Sequence, residues 1–81
     1  MSSISIVLED LAAGDFRLTR HAIERMGQRS ITKADICNVG ETGEANSTGD
    51  GKVKVIGLDL DGEELAVVCV YDAGTLVITI F

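Results

Sequence analysis

Residues 52–81 read KVKVIGLDLDGEELAVVCVYDAGTLVITIF. The run Lys52 to Leu58 reads as a strand, rich in Val and Ile. Asp59 to Gly62 follows, and its Asp61-Gly62 pair suits the positive φ angles of a tight hairpin turn. Glu64 to Tyr71 is a β-branched run, Asp72, Ala73 and Gly74 make a second turn, and Thr75 to Phe81 is the last strand. Parallel neighbours need a crossover of about a dozen residues or more, so connections this short make an antiparallel meander.

Upstream the period changes from two to 3.6. Ile4, Val7, Leu8, Leu11 and Ala12 share one face of a first helix, Ile4 to Ala13, capped by Ser2 or Ser3 and stopped by Gly14. Thr19 caps a second helix, Arg20 to Arg29. Thr32 caps a third, Lys33 to Val39, with Asp35 completing a capping box and Gly40 ending it. Gly40 to Gly51, GETGEANSTGDG, reads as a polar surface loop. The expected fold is therefore α+β. Two or three N-terminal helices (residues 4–39) pack on one face of a three-stranded, or four-stranded, antiparallel meander (residues 52–81).

The chain has 81 residues, enough for a single domain that buries roughly two thirds of its unfolded surface. With 46% apolar and 25% charged residues it is a globular composition and not a disordered one. It has no apolar run of about 18 residues and no basic N-terminal region, so neither a transmembrane helix nor a signal peptide is expected, and the predicted location is cytoplasmic. Cys37 and Cys69 match no metal or redox spacing and read as free, buried thiols. Both faces of the last two strands are apolar: Ala66, Val68 and Val70 alternate with Leu65, Val67 and Cys69. A second apolar face in so small a domain implies a homodimer or partner interface, in preference to the floor of a binding groove.

Charge is unevenly placed. The net charge is −6, yet residues 17–33 hold Arg17, Arg20, Arg25, Arg29 and Lys33 against Glu24 alone. That segment carries +4 and the rest of the chain −10. A basic segment on an acidic body permits a local anion site while discouraging indiscriminate polyanion binding.

On the second helix, at about 100° per residue, Arg25 falls about 40° and Arg29 about 80° from His21, so the three form one stripe. The arc Ala22, Ile23, Met26, Gly27 is expected to face the core. Arginine presents a planar fork of donors that matches phosphate oxygens. Histidine exchanges a proton near neutrality. Together they are suited to metal-independent RNA cleavage, with His21 as base and the arginines as a phosphate clamp. A structural histidine bonded to Glu24 is the alternative. No second histidine is present to act as acid, and Tyr71 is the only tyrosine. Lys52 and Lys54 share one face of the first long strand and can assist, or simply protect a solvated edge. Asp59, Asp61, Glu63 and Glu64 read as an acidic turn rather than a metal site. No phosphate-loop or dinucleotide motif occurs, so no cofactor is expected.

The run Leu18-Thr19-Arg20-His21-Ala22-Ile23-Glu24-Arg25-Met26-Gly27-Gln28-Arg29-Ser30-Ile31-Thr32 resembles the signature of the domain-of-unknown-function 4258 family. The likeness continues through Asp35-Ile36 and the Asp61-Gly62 turn to Leu76-Val77-Ile78-Thr79-Ile80-Phe81. That family in turn resembles the barnase, EndoU, colicin and RelE superfamily of ribonuclease toxins. The resemblance implies an RNase-toxin-like fold, active-site positions at His21, Arg25 and Arg29, and Thr79 facing the same cleft. Arg20, Lys52 and Lys54 are the expected substrate contacts, and the expected partners are RNA or the ribosome and a cognate protein. Two alternatives stand beside the nuclease: a non-catalytic interaction module, antitoxin-like or phage-encoded, and a small-anion or nucleotide-binding domain.

Overall fold

The computed structural model describes residues 3–81. In chain order the elements are α1 (Ser3–Ala13), β1 (Phe16–Leu18), α2 (Arg20–Arg29), α3 (Lys33–Thr42), β2 (Glu44–Ser47), β3 (Val53–Leu58), β4 (Glu64–Tyr71) and β5 (Thr75–Ile80). The strands form one sheet in the order β1-β5-β4-β3-β2. The fold class is α+β, as expected, with three helices. The expected meander is correct for β3, β4 and β5, which pair antiparallel.

Two strands extend the sheet beyond the expectation. Phe16 to Leu18 lies parallel to Thr75–Val77, which makes the sheet mixed rather than purely antiparallel. The three residues Phe16 to Leu18 carry no period of their own; the neighbouring edge of β5 pairs them as a strand. The region expected to be loop, residues 40–51, is largely ordered structure. Its first residues complete α3, Glu44 to Ser47 pair antiparallel with Val53 to Ile56 as β2, and only the tip is a turn.

Gly40 does not end the third helix, which runs on to Thr42 and is capped at Gly43. The glycine serves packing instead. A Cβ there would lie 2.4 Å from the Ala12 nitrogen and 2.8 Å from the Leu11 Cβ, so α1 and α3 approach across a missing side chain. Of the two candidate caps on the first helix, Ser2 lies outside the described residues and Ser3 opens the helix. The other caps form as expected. The Thr19 hydroxyl accepts from the Ala22 N–H, and Thr32 and Asp35 make a complete capping box.

The core lies between the helices and one sheet face. Val7, Leu11, Ala22, Ile36 and Val39 meet Val53, Val55, Leu65, Val67, Cys69, Val77 and Ile80. Each aliphatic side chain buried this fully stabilises by about 1.5–3 kcal/mol. Strict alternation fails once. A register shift between Val68 and Cys69 leaves Ile78 without a partner, so Val77 and Ile80 both face the core. Thr79 therefore lies with Val68 and Leu76 on the other face, not with Val77 as simple alternation predicts.

That other face carries the expected apolar residues, but its centre is not bare. Ala66 and Val68 are only 8% and 9% exposed, flanked by Ile56 and Lys54 on β3 and by Phe81 and Thr79 at the β5 side. Exposure concentrates at Ile56 (38%), Leu58 (42%) and Phe81 (48%).

Candidate nucleic-acid interface

β1 covers only the first half of the outer edge of β5, and the N-terminal part of α2 takes over where β1 stops. The Thr19 N–H donates to the Val77 carbonyl at 3.0 Å, and the Thr19 hydroxyl donates to the Ile78 carbonyl at 2.8 Å. One turn into α2, Arg25 Nε donates to the Ile80 carbonyl at 3.0 Å. These bonds occupy edge carbonyls that would otherwise need water. They also fix where the helix stands relative to Thr79, the residue between the two side-chain-bonded carbonyls.

The helix is rotated from its expected setting. Ala22 is fully buried and Met26 packs on the core, but Ile23 is 56% exposed and Gly27 also faces solvent. The buried direction is thus centred nearer Ala22 than Ile23. The Arg25 bond goes with this setting, in which part of the polar stripe lies against the sheet edge. Arg25 is half-buried, while His21 and Arg29 remain exposed along the same stripe. Ser30 closes the helix in the left-handed region, at φ 55° and ψ 40°, and its N–H returns to the Met26 carbonyl.

Glu24 does not engage His21. Its carboxylate lies 3.5 Å from Arg20 Nε, an exposed i,i+4 pair worth about 0–1 kcal/mol. The other ion pair among the described residues is Lys52 with Asp50 at 3.5 Å, which commits Lys52 to the β2–β3 turn. His21, Arg25 and Arg29 take part in neither.

Lys54 and Thr79 lie on one cross-strand row, opposite Val68 from its two sides, about 10 Å apart at two strand spacings. Lys54 Nζ stands 5.0 Å from the centre of the Phe81 ring, whose backbone is clamped to Ala66 by a reciprocal hydrogen-bond pair. Phe81 is not among the expected contacts; an aromatic residue ending the last strand, on the face of Lys54, was the available signal. Arg17, also passed over, gives Nη2 to the Asp72 carbonyl at the far end of β5. Tyr71 sits at that far end as well, opposite Thr75 and away from α2.

The candidates thus fall into three groups. Arg20, His21, Arg25 and Arg29 follow one helix, and Arg25 brings that helix to the strand that carries Thr79. Lys54 belongs to the open sheet face beside Phe81, and Lys52 to the turn. Within the stripe Arg25 is the side chain bonded to the sheet edge, His21 and Arg29 stand exposed beside it, and Lys54 lies against the Phe81 ring on the open face. The acidic residues around Asp59 build a turn: the Asp59 carboxylate, mostly buried, accepts from the Asp61 and Glu63 N–H groups at 2.9 Å. Among the described residues no group of three or more His, Cys, Asp or Glu side chains is placed to hold a metal ion. Nor is any helix long and apolar enough to cross a membrane.

A family model described as Domain of unknown function (DUF4258) matches residues 18–81, from the end of β1 through the last residue. No curated protein and no solved structure matches the chain.

Proposed function

The chain belongs to the DUF4258 family, and we propose that it is a ribonuclease-toxin-like domain that binds RNA along the α2–β5 edge and cleaves it without a metal. The bond from Arg25 Nε to the Ile80 carbonyl carries this reading. A guanidinium that donates through Nε still has its end-on pair of terminal N–H groups free, and that pair matches the oxygens of a phosphate.

In the proposed reaction, His21 takes the proton from a ribose 2′-hydroxyl. The 2′-oxygen attacks the adjacent phosphorus, forming one P–O bond as the bond to the 5′-oxygen breaks. The leaving oxygen takes its proton from solvent, and the products carry a 2′,3′-cyclic phosphate and a 5′-hydroxyl. Arg25 and Arg29 stabilise the charge that builds on the phosphate oxygens, and Thr79 donates a hydrogen bond from the sheet. Arg20 and Lys54 contact flanking phosphates, while Lys52 stays with Asp50 at the β2–β3 turn. The site acts in the cytoplasm on RNA, free or ribosome-bound. The acidic remainder of the chain limits binding elsewhere on the surface.

Fluorescence anisotropy with a labelled single-stranded RNA tests the binding half of this reading. Wild-type protein binds at low salt, with affinity falling as salt rises, and Arg25→Ala and Arg29→Ala each weaken it. Absence of binding at low salt, or binding untouched by both substitutions, contradicts it.

The exposure of Ile56, Leu58 and Phe81 on the open sheet face supports a second reading, self-association through that face. Light scattering after size exclusion distinguishes the two. A dimer that Ile56→Lys converts to monomer supports self-association, and a wild-type monomer at all concentrations removes it.

A further inference from the structure

We propose that the hollow on the β2–β3 side of the open sheet face docks an extended segment of a protein partner, one that presents a lysine or arginine between aliphatic residues. This site lies at the opposite edge of the sheet from α2 and does not depend on the RNA reading, but it uses the same Ile56 and Leu58 as the self-association reading, so a dimer through that face excludes it.

The hollow measures about 400 Å³, near the lower end of the roughly 300–1,000 Å³ typical of ligand sites. Its apolar wall is Ile56 and Leu58, both exposed beyond a third. Register places a carboxylate on each side of that wall: Glu44 on β2 opposite Ile56, and Glu64 on β4 opposite Leu58. No basic side chain lines the hollow, and neither glutamate belongs to an ion pair among the described residues. The rim at Thr42 is fixed, because its hydroxyl donates to the Asn38 carbonyl at 2.8 Å and accepts from the Leu58 N–H at 2.9 Å.

These features select the occupant. Two carboxylates repel a phosphate chain and attract a cation. Two aliphatic side chains between them match the hydrocarbon stem of lysine or arginine, whose charged head then reaches a carboxylate. A polypeptide satisfies both requirements and a simple metal ion only the first. The adjoining strand admits an extended segment: β2 is the end strand of the sheet, and its Glu44 favours a basic neighbour. A segment laid along it gains backbone hydrogen bonds as well as side-chain contacts.

The probe is a capped peptide of alternating valine and arginine, titrated into 15N-labelled full-length protein and followed by amide chemical shifts. A peptide with glutamate in place of arginine is the control. The expected result is shifts concentrated at Glu44, Ile56, Leu58 and Glu64, saturable for the arginine peptide and absent for its counterpart. The double variant Glu44→Gln, Glu64→Gln, verified as folded by its own spectrum, is expected to bind at least fivefold more weakly. Shifts scattered over the acidic surface, equal response to both peptides, or unchanged affinity in the double variant would each overturn the proposal.

Discussion

Arg25 Nε donates to the Ile80 carbonyl at 3.0 Å, so a residue from the first half of the chain secures the end of its last strand. The same side chain supplies one of the proposed phosphate contacts. Arg25→Ala is expected to lower stability by about 1 kcal/mol through the lost bond and to weaken RNA binding. Arg25→Lys keeps the charge without the planar guanidinium, and should recover less binding than charge alone would restore. Thermal unfolding together with anisotropy checks both. Full binding in Arg25→Ala means that its role is structural alone.

Asp35 ties α3 to the β3–β4 turn. Its carboxylate accepts from the Thr32 N–H and hydroxyl and from the Leu60 N–H. The backbone bond from Thr32, then that from Leu60, hold its pKa below the ordinary carboxylate value, and burial opposes them less strongly. A depressed folded-state pKa gives stability that is present above the unfolded pKa and lost as pH falls through the folded one. Unfolding in urea between pH 7 and pH 2 should therefore show an acid loss that Asp35→Asn reduces. At neutral pH the same substitution should cost about 1–3 kcal/mol.

The two thiols differ in setting. Burial pushes the Cys69 thiol up to about 12, whereas Cys37 is only half-buried. A thiol reagent near pH 8 is expected to label one cysteine in the folded protein, identified as Cys37 by mass spectrometry, and both in denaturant. Labelling of Cys69 under native conditions would contradict its place in the core.

Ser30 occupies the left-handed region at the C-terminus of α2, where glycine carries no steric penalty. Ser30→Gly is expected to be neutral or to stabilise by about 1 kcal/mol, because the relieved strain outweighs the added freedom of the unfolded chain. A clear fall in the midpoint of thermal unfolding would count against that backbone geometry.

Much of the fold was legible because local signals agreed with the final packing. Thr19, Thr32 and Asp35 cap where the sequence places them, and β3, β4 and β5 follow their turns. What escaped was set by distant partners. Phe16–Leu18 is a strand only because β5 lies beside it, and Gly40 continues a helix because α1 needs its missing side chain. The bulge at Ile78 turns Thr79 onto the open face, and no period announces a single unpaired residue. In the candidate site, the His21–Arg25–Arg29 stripe was readable from spacing. The rotation that brings Arg25 to Ile80 was not, since the exposed Ile23 gave the wrong bearing for the helix.

The most direct measurement is cleavage of a single-stranded RNA by purified protein with chelator present, with the product ends identified by mass spectrometry. Wild-type protein is expected to yield 2′,3′-cyclic phosphate ends. His21→Ala should cut at least about 100-fold more slowly, as expected for loss of a general base, with its unfolding midpoint unchanged because His21 is exposed. RNA left intact by the wild type, or cut equally well by folded His21→Ala, would contradict the assignment of the α2–β5 edge as a nuclease site.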